Sequence, residues 1–436
     1  MNRERQSIAS YPVSDFEQIK QQVLNWVQPF NTFCFLDNHR YQMAPHKEEC
    51  LLAAGCRRSI ARTAGQALTD LQTFLAQKNA WVFGHLGYEL GAEITGVQSE
   101  KENRTGFPDL FFFEPEILIR LSADQLTIEA PDPEQVYNTI LATKTEFLQT
   151  GCAVPAIQSR LTREAYLAVI HRLREHIQRG DCYEINFCQE FFAEEAVIDQ
   201  LYVYNQLCRL SPNPFSALYR VHDQWLLCAS PERFIRKEGR RILSQPIKGT
   251  AARVPDNEKA DRQKKEELLL SQKERAENVM VVDLVRNDLS RVCREGSVKV
   301  DELFGIYSFP QVHQMISTIS GELQETGSFS EIIRACFPMG SMTGAPKKRV
   351  MELIEQYEPA HRGIFSGAVG YIDPAGDFDF NVVIRSIMYN AASNYLSFQA
   401  GSGITHYSEA AAEWDECQLK AAAIKKVLGI EAGQVI

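Results

Sequence analysis

A chain of 436 residues with 44% hydrophobic and 23% charged positions has an ordinary globular composition, long enough for two domains or two intimate subdomains. Its formal charge of −10 argues against a general nucleic-acid or polyanion binder, so any small anionic ligand needs a local cluster of Arg and Lys. The polar opening MNRERQSIAS is not a signal peptide, no apolar run nears the roughly 20 residues of a membrane span, and the 11 cysteines lie scattered through runs such as WLLCAS without a C-x-x-C pair. A reduced, cytoplasmic protein with no nucleic-acid or membrane partner is expected.

Residues 1 to about 155 mix short strand-like runs (NTFCFL, AWVFGHLGYEL, LFFFEPEILIRL) with one amphipathic segment near 59–77. TGCAVPAIQSR has the composition of a linker, which divides the chain into 1–155 and 156–436. LTREAYLAVIHRLREHIQRGD then sets Tyr166, Val169, Ile170, Leu173 and Ile177 on one helical face, with Gly180 as its stop. CYEINFCQEFFA alternates as a strand, and WLLCAS and RRIL read as others. After RRIL comes QPIKGT, which places Lys248 between an isoleucine and a glycine-threonine turn. Residues 257–289 are helical in pattern, and a short helix over 346–357 opens with Pro346 in its first turn. Residues 365–400 read as an antiparallel meander, and a last helix runs from a Ser408 cap to Leu428, stopped by Gly429. Strands in meanders and helices in separate blocks predict an α+β fold with antiparallel sheets.

Several groups along this path suit chemistry. Glu274 and Glu277, and Glu413 and Glu416, are i, i+3 pairs, so each pair puts two carboxylates on one helix face. Two such faces suit a Mg²⁺ ion, and each alone also suits a solvated helix surface. In SMTGAPK, Ser341, Thr343 and Gly344 precede a helix start, where free N–H groups favour a carboxylate or phosphate; an ordinary cap gives the same pattern. Gly401 and Gly403 in QAGSGI allow a close approach to backbone, or mark a bulge. Arg385, inside the strand-like NVVIRSIM, needs a carboxylate partner from the protein or a ligand. Glu232 in ASPERF and Lys248 read either as a buried ion pair or as an acid and a nucleophile tuned by burial.

Taken together and in order, GDCYEINFCQ, SPERF, PIKGT, KERAENVMVVDLVRNDLSRV, GSVKV, SMTGAPK, FSGAVGY, VVIRS, QAGSGI and EWDECQLK resemble the chorismate-utilising enzymes over about residues 160–430. The first 150 residues resemble that family only loosely. The resemblance implies two interlocking subdomains, with antiparallel sheets in a sandwich-like core and helices outside. Lysine in PIKGT, where anthranilate and isochorismate synthases carry alanine, is similar to the aminodeoxychorismate-synthase branch, which converts chorismate and ammonia to 4-amino-4-deoxychorismate on the way to p-aminobenzoate and folate.

By that resemblance Lys248 is the nucleophile at C2 of chorismate, helped by an apolar, partly desolvated setting that keeps the amine neutral, and Glu232 is the general acid. Glu277 and Glu416 match direct Mg²⁺ ligands, with Glu274 and Glu413 supporting the ion. Gly249, Thr250, Thr343, Arg385, Gly401, Ser402, Gly403 and Lys420 match positions around the substrate carboxylates. The pattern is not followed everywhere. Gln314 stands for a histidine, which favours a product that keeps its enolpyruvyl group, while Glu184 replaces a usual Gln, Ser402 a Gly or Ala, and Phe365 a tyrosine. No G-x-C-x-G elbow surrounds a cysteine, so ammonia is expected from solution or from a separate glutamine amidotransferase (component II) docked on this protein. A separate aminodeoxychorismate lyase is expected downstream. Anthranilate synthase component I is the alternative activity, and a non-catalytic, glutaminase-activating scaffold a third reading.

Overall fold

The structure, a computed structural model, describes residues 6–41, 48–77, 79–145, 153–324 and 327–429. Their strands gather into two antiparallel sheets, one of 12 strands and one of 10, with helices outside them. Side-chain alternation explains how the sheets pack. Along Thr32–Asp37, Phe33 and Phe35 enter one apolar cluster while Cys34 and Leu36 enter another. Along Phe215–Val221, Leu218 joins the first set, and Ala217, Tyr219 and Val221 join the second. The central strands of the larger sheet are therefore buried on both faces, which is why they read as unbroken apolar runs. One face is covered by helices, among them Arg163–Gln178, Lys347–Tyr357 and Ala410–Val427. The other packs on the smaller sheet, and His85 of its strand Val82–Leu86 hydrogen-bonds Tyr219 Oη across the interface at 3.0 Å. This is the sandwich-like α+β core the sequence predicts.

The two sheets interlock along the chain. Strand Thr32–Asp37 pairs with Phe215–Val221 in the larger sheet, and Val82–Leu86 pairs with Ala368–Ile372 in the smaller. Residues before 155 thus complete both sheets.

Several local expectations change. The segment near 59–77 is a strand, Arg58–Arg62, followed by a helix, Ala67–Ala76. The helical stretch 257–289 is two helices, Glu258–Leu270 and Gln272–Ser290, and the Ser271 hydroxyl between them accepts the Glu274 N–H at 3.3 Å and caps the second. Pro346 caps Lys347–Tyr357 from outside rather than lying in its first turn. Ser408 does not cap the last helix; its hydroxyl accepts the Thr405 N–H at 3.0 Å, and Glu409 precedes the first turn. The ten described cysteines are all free thiols, as scattered core cysteines should be. No helix among the described residues is long and apolar enough to cross a membrane.

Candidate active site

Strand Ile247–Ala252 lies at one end of the smaller sheet, held to Val312–Glu322. Its register shifts between Ile247 and Thr250, so Lys248 and Gly249 form a bulge. Gly249 has φ +98°, a conformation side chains rarely adopt, and a Cβ there would come 3.1 Å from Glu274 Oε2. The bulge lets Lys248 reach the larger sheet, where its Nζ lies 2.6 Å from Glu184 Oε1. Glu184 opens strand Glu184–Ala193, whose partner is Tyr395–Ile404. A Cβ on Gly403 of that partner would sit 2.6 Å from Glu184 Oε1 and 2.7 Å from Lys248 Nζ. Gly403 is thus neither a bulge nor a turn; its missing side chain is the room in which the ion pair stands. Gly401 is small for another reason, since its Cβ would collide with the Phe187 carbonyl.

This setting corrects the expectation of an apolar, neutral lysine. Burial by itself would lower the Lys248 pKa, but the Glu184 carboxylate, with Glu277 and Glu416 further off, holds it well above the usual lysine range. Glu232, just past strand Gln224–Ser230, is 4% exposed. Burial pushes its carboxyl up to about 7, against the opposing pull of the Ser341 hydroxyl and the Lys248 charge. A carboxyl that keeps its proton near neutrality can serve as a general acid.

The four predicted glutamates converge on one ammonium. Lys273 Nζ lies 3.5 Å from Glu413 Oε1 and 3.8 Å from Glu277 Oε1. Burial opposes its charge, but Glu413, Glu277, Glu416 and Glu274 together raise its pKa. Both oxygens of Glu413 and one of Glu277 are buried without a hydrogen-bond partner. Burial first, then the Glu184 and Glu274 charges, push the Glu277 carboxyl up to about 8. Orphaned carboxylate oxygens around a side-chain cation fit the donor set of a hard divalent ion. They are not closed into a coordination sphere: among the described residues, the trio of possible ligand atoms within 4.8 Å of one another is Glu89, Asp109 and His361, which no sequence pattern singled out. Lys420 Nζ bridges Glu416 Oε1 and the Gly401 carbonyl, each at 2.8 Å.

Arg385 is not in a strand. It occupies the bend between Phe378–Asn381 and Ser386–Asn390 with φ +51°. Burial lowers its pKa, and its guanidinium has no ion pair or hydrogen bond among the described residues. Thr343 is fully buried; its hydroxyl donates to the Met339 carbonyl at 3.0 Å and its own carbonyl accepts the Asn186 N–H. Gly344–Ala345 pairs with Glu184 and Ile185, so this segment forms strand pairing where a cradle of free N–H groups was expected. Thr250 is exposed and paired with Gln314. The Gln314 Oε1 and Ser402 Oγ atoms are buried and unpartnered. Phe365 is 1% exposed.

Two residues the sequence reading missed hold the site together. Lys273 is one. The other is Arg362, 2% exposed, which pairs with Glu358 at 2.6 Å and donates to the carbonyls of Asn186 and Met342, tying strand Glu184–Ala193 to the segment before Thr343. The x-x-x-Glu-x-x-x-Arg spacing was the available signal, but it does not distinguish a buried pair from a surface one.

The family described as chorismate binding enzyme matches residues 27–426. Aminodeoxychorismate synthase component 1 of Salmonella typhimurium is 42% identical over 340 residues, which cover 76% of this chain and 73% of that protein. Anthranilate synthase component 1 of Thermus thermophilus is 33% identical over 365 residues, 81% of this chain and 78% of that one. The crystal structure of anthranilate synthase component I from Streptococcus pneumoniae superposes with a TM-score of 0.76 at 23% identity, over 89% of this chain and 93% of that chain. At that identity the superposition speaks to the fold.

Proposed function

Because the chain belongs to the chorismate binding enzyme family, we propose that it acts as an aminodeoxychorismate synthase component I, converting chorismate and ammonia to 4-amino-4-deoxychorismate. The observation that carries this reading is Lys248, an amine held at a bulge and near enough to Glu232 for its charge to act on that buried carboxyl, which burial pushes up to about 7.

In this reaction Lys248 forms a bond to C2 of chorismate, the ring double bond shifts, and the C4 hydroxyl departs with the proton of Glu232. Ammonia then adds at C4, and the C2–N bond breaks to return the lysine. The unpaired guanidinium of Arg385 and the Lys420 ammonium suit the two substrate carboxylates, supplying the positive field that the net charge of −10 does not. Gly249, Thr250, Thr343, Gly401, Ser402 and Gly403 shape the surrounding wall. Glu277 and Glu416 would hold Mg²⁺ with Glu274 and Glu413 in support, in the acidic cluster where Lys273 now places its ammonium. When bound, the ion supplies positive charge at the ring carboxylate and withdraws electron density from the ring.

The name "component 1" on the relatives supports a partner subunit, here a glutamine amidotransferase that delivers ammonia. An aminodeoxychorismate lyase would consume the product. One observation favours a second reading, anthranilate synthase component I: a lysine held as an ammonium by Glu184 binds anions better than it attacks carbon. The deciding experiment incubates purified protein with chorismate, Mg²⁺ and an ammonium salt at mildly alkaline pH, with mass-spectrometric detection. A product that gains nitrogen and keeps the enolpyruvyl ether is expected. Fluorescent anthranilate with released pyruvate would overturn the choice.

A further inference from the structure

The ion pair itself asks for an explanation. A nucleophilic amine needs a free electron pair, yet Lys248 is placed 2.6 Å from a carboxylate that favours its protonated form. We propose that Glu184 is a catalytic residue, the proton acceptor that frees the Lys248 amine for attack and the donor that recharges it afterwards. The inference rests on Lys248 being the nucleophile.

Three features of the site carry it. The side chains of Lys248 and Glu184 are 10% and 3% exposed, so a proton leaving Nζ has little access to bulk water. Glu184 Oε1 is the only hydrogen-bond partner of Nζ among the described residues, and its second oxygen is buried with none, so no other group competes for the proton. Finally, Gly403 leaves the space in which the two atoms meet, and any Cβ there would push them apart.

The proton count closes. Lys–NH₃⁺ and Glu184–COO⁻ become Lys–NH₂ and Glu184–COOH. The amine bonds to C2 while the C4–O bond breaks, and Glu232 supplies the proton that completes the departing water. Ammonia bonds to C4, and the C2–N bond breaks with its electron pair returning to nitrogen, leaving Lys–NH₂. Glu184 gives its proton back to that amine, and Glu232 recovers one from the new C4 ammonium. The sum is chorismate plus ammonia giving the amino product plus water.

Internal transfer has a signature in pH. The neutral pair Lys–NH₂ with Glu–COOH has the same number of protons as the ion pair, so its population does not change with pH while the pair stays intact. Without Glu184 the lysine must shed its proton to solvent, and the reactive fraction rises tenfold per pH unit. The other charges acting on Lys248 are Glu277 and Glu274 from helix Gln272–Ser290, Glu416 from helix Ala410–Val427, and Glu232, with Lys420 paired to Glu416 beside them. Glu232 puts its own limb on the profile, which cancels in the ratio of two variants that share it.

The test is single-turnover formation of the Lys248 adduct from chorismate and Mg²⁺ without ammonium, acid-quenched and read by intact mass and peptide mapping, from pH 6 to 9. Wild type, Glu184→Gln and Glu184→Asp are compared. The Gln variant should be slower at pH 7 by about 10²-fold, the lower range of general-base effects. Its rate relative to wild type should climb about tenfold per pH unit, at unchanged half-saturating chorismate, while the Asp variant keeps a pH-independent ratio. A Gln variant equally fast at every pH, or faster at pH 7, would overturn the proposal for Glu184 alone. Wild-type protein that forms no adduct and makes anthranilate when ammonium is added would overturn the nucleophile reading as well.

Discussion

Replacing Glu232 with Gln should make the protein more stable and nearly inactive. The carboxyl is 4% exposed, and burial raises its pKa from 4.5 to about 7 in the folded protein. Below the unfolded value both states hold the proton, and the residue is neutral with respect to pH. Between the two values the unfolded chain ionises while the folded one does not, so stability falls as pH rises, and the loss is complete once pH exceeds the folded value. At about 1.4 kcal/mol per pKa unit the loss reaches roughly 3 kcal/mol. Glutamine keeps the shape, stays neutral, and escapes it. Urea unfolding followed by circular dichroism should therefore show the variant gaining on wild type from near parity at pH 4 to roughly 3 kcal/mol at pH 8. The same preparation should lose about 10²- to 10⁴-fold in turnover, the range for removing a general acid. A stability difference that does not change with pH, or a wild type more stable at pH 8, would refute the reasoning.

Further outcomes follow from other contacts. Gly403→Ala places a methyl group against both Lys248 Nζ and Glu184 Oε1, so adduct formation should fall more than tenfold with little change in melting temperature. Arg362→Met leaves Glu358 charged and unpaired in the core, which should cost about 3–5 kcal/mol in unfolding experiments. Glu277→Gln should raise the half-saturating Mg²⁺ concentration at least tenfold by calorimetric titration, whereas Arg385→Ala should raise the KM for chorismate and leave the Mg²⁺ requirement alone.

What could be read in advance depended on how local each determinant is. Strand Glu184–Ala193 and helix Arg163–Gln178 were visible because apolar spacing within each segment sets their geometry. The break at Ser271 was also present, as Ser271-x-x-Glu274, but with no Pro or Gly in the stretch the helical pattern dominated. Lys248, Glu232 and the four glutamates were singled out by motif, and the fold does gather them. Their environment was not legible. Whether a lysine sits in an apolar or an acidic pocket depends on Glu184, 64 residues away in sequence and on the other sheet. The left-handed backbone that takes Arg385 out of a strand is likewise set by tertiary packing rather than by the apolar residues beside it.

The interlocked sheets also govern the order in which this protein can come into being. Strands made early, Thr32–Asp37 and Val82–Leu86, wait for partners at Phe215–Val221 and Ala368–Ile372, so much of the pairing joins residues far apart in sequence. Such contacts close slowly because each carries a large loop-closure entropy. During synthesis strand Glu184–Ala193 in turn waits for Tyr395–Ile404, and that strand and helix Ala410–Val427 bring Gly403, Glu413, Glu416 and Lys420. A nascent chain stalled before them would lack its site and present sheet edges prone to aggregation, a natural target for chaperones.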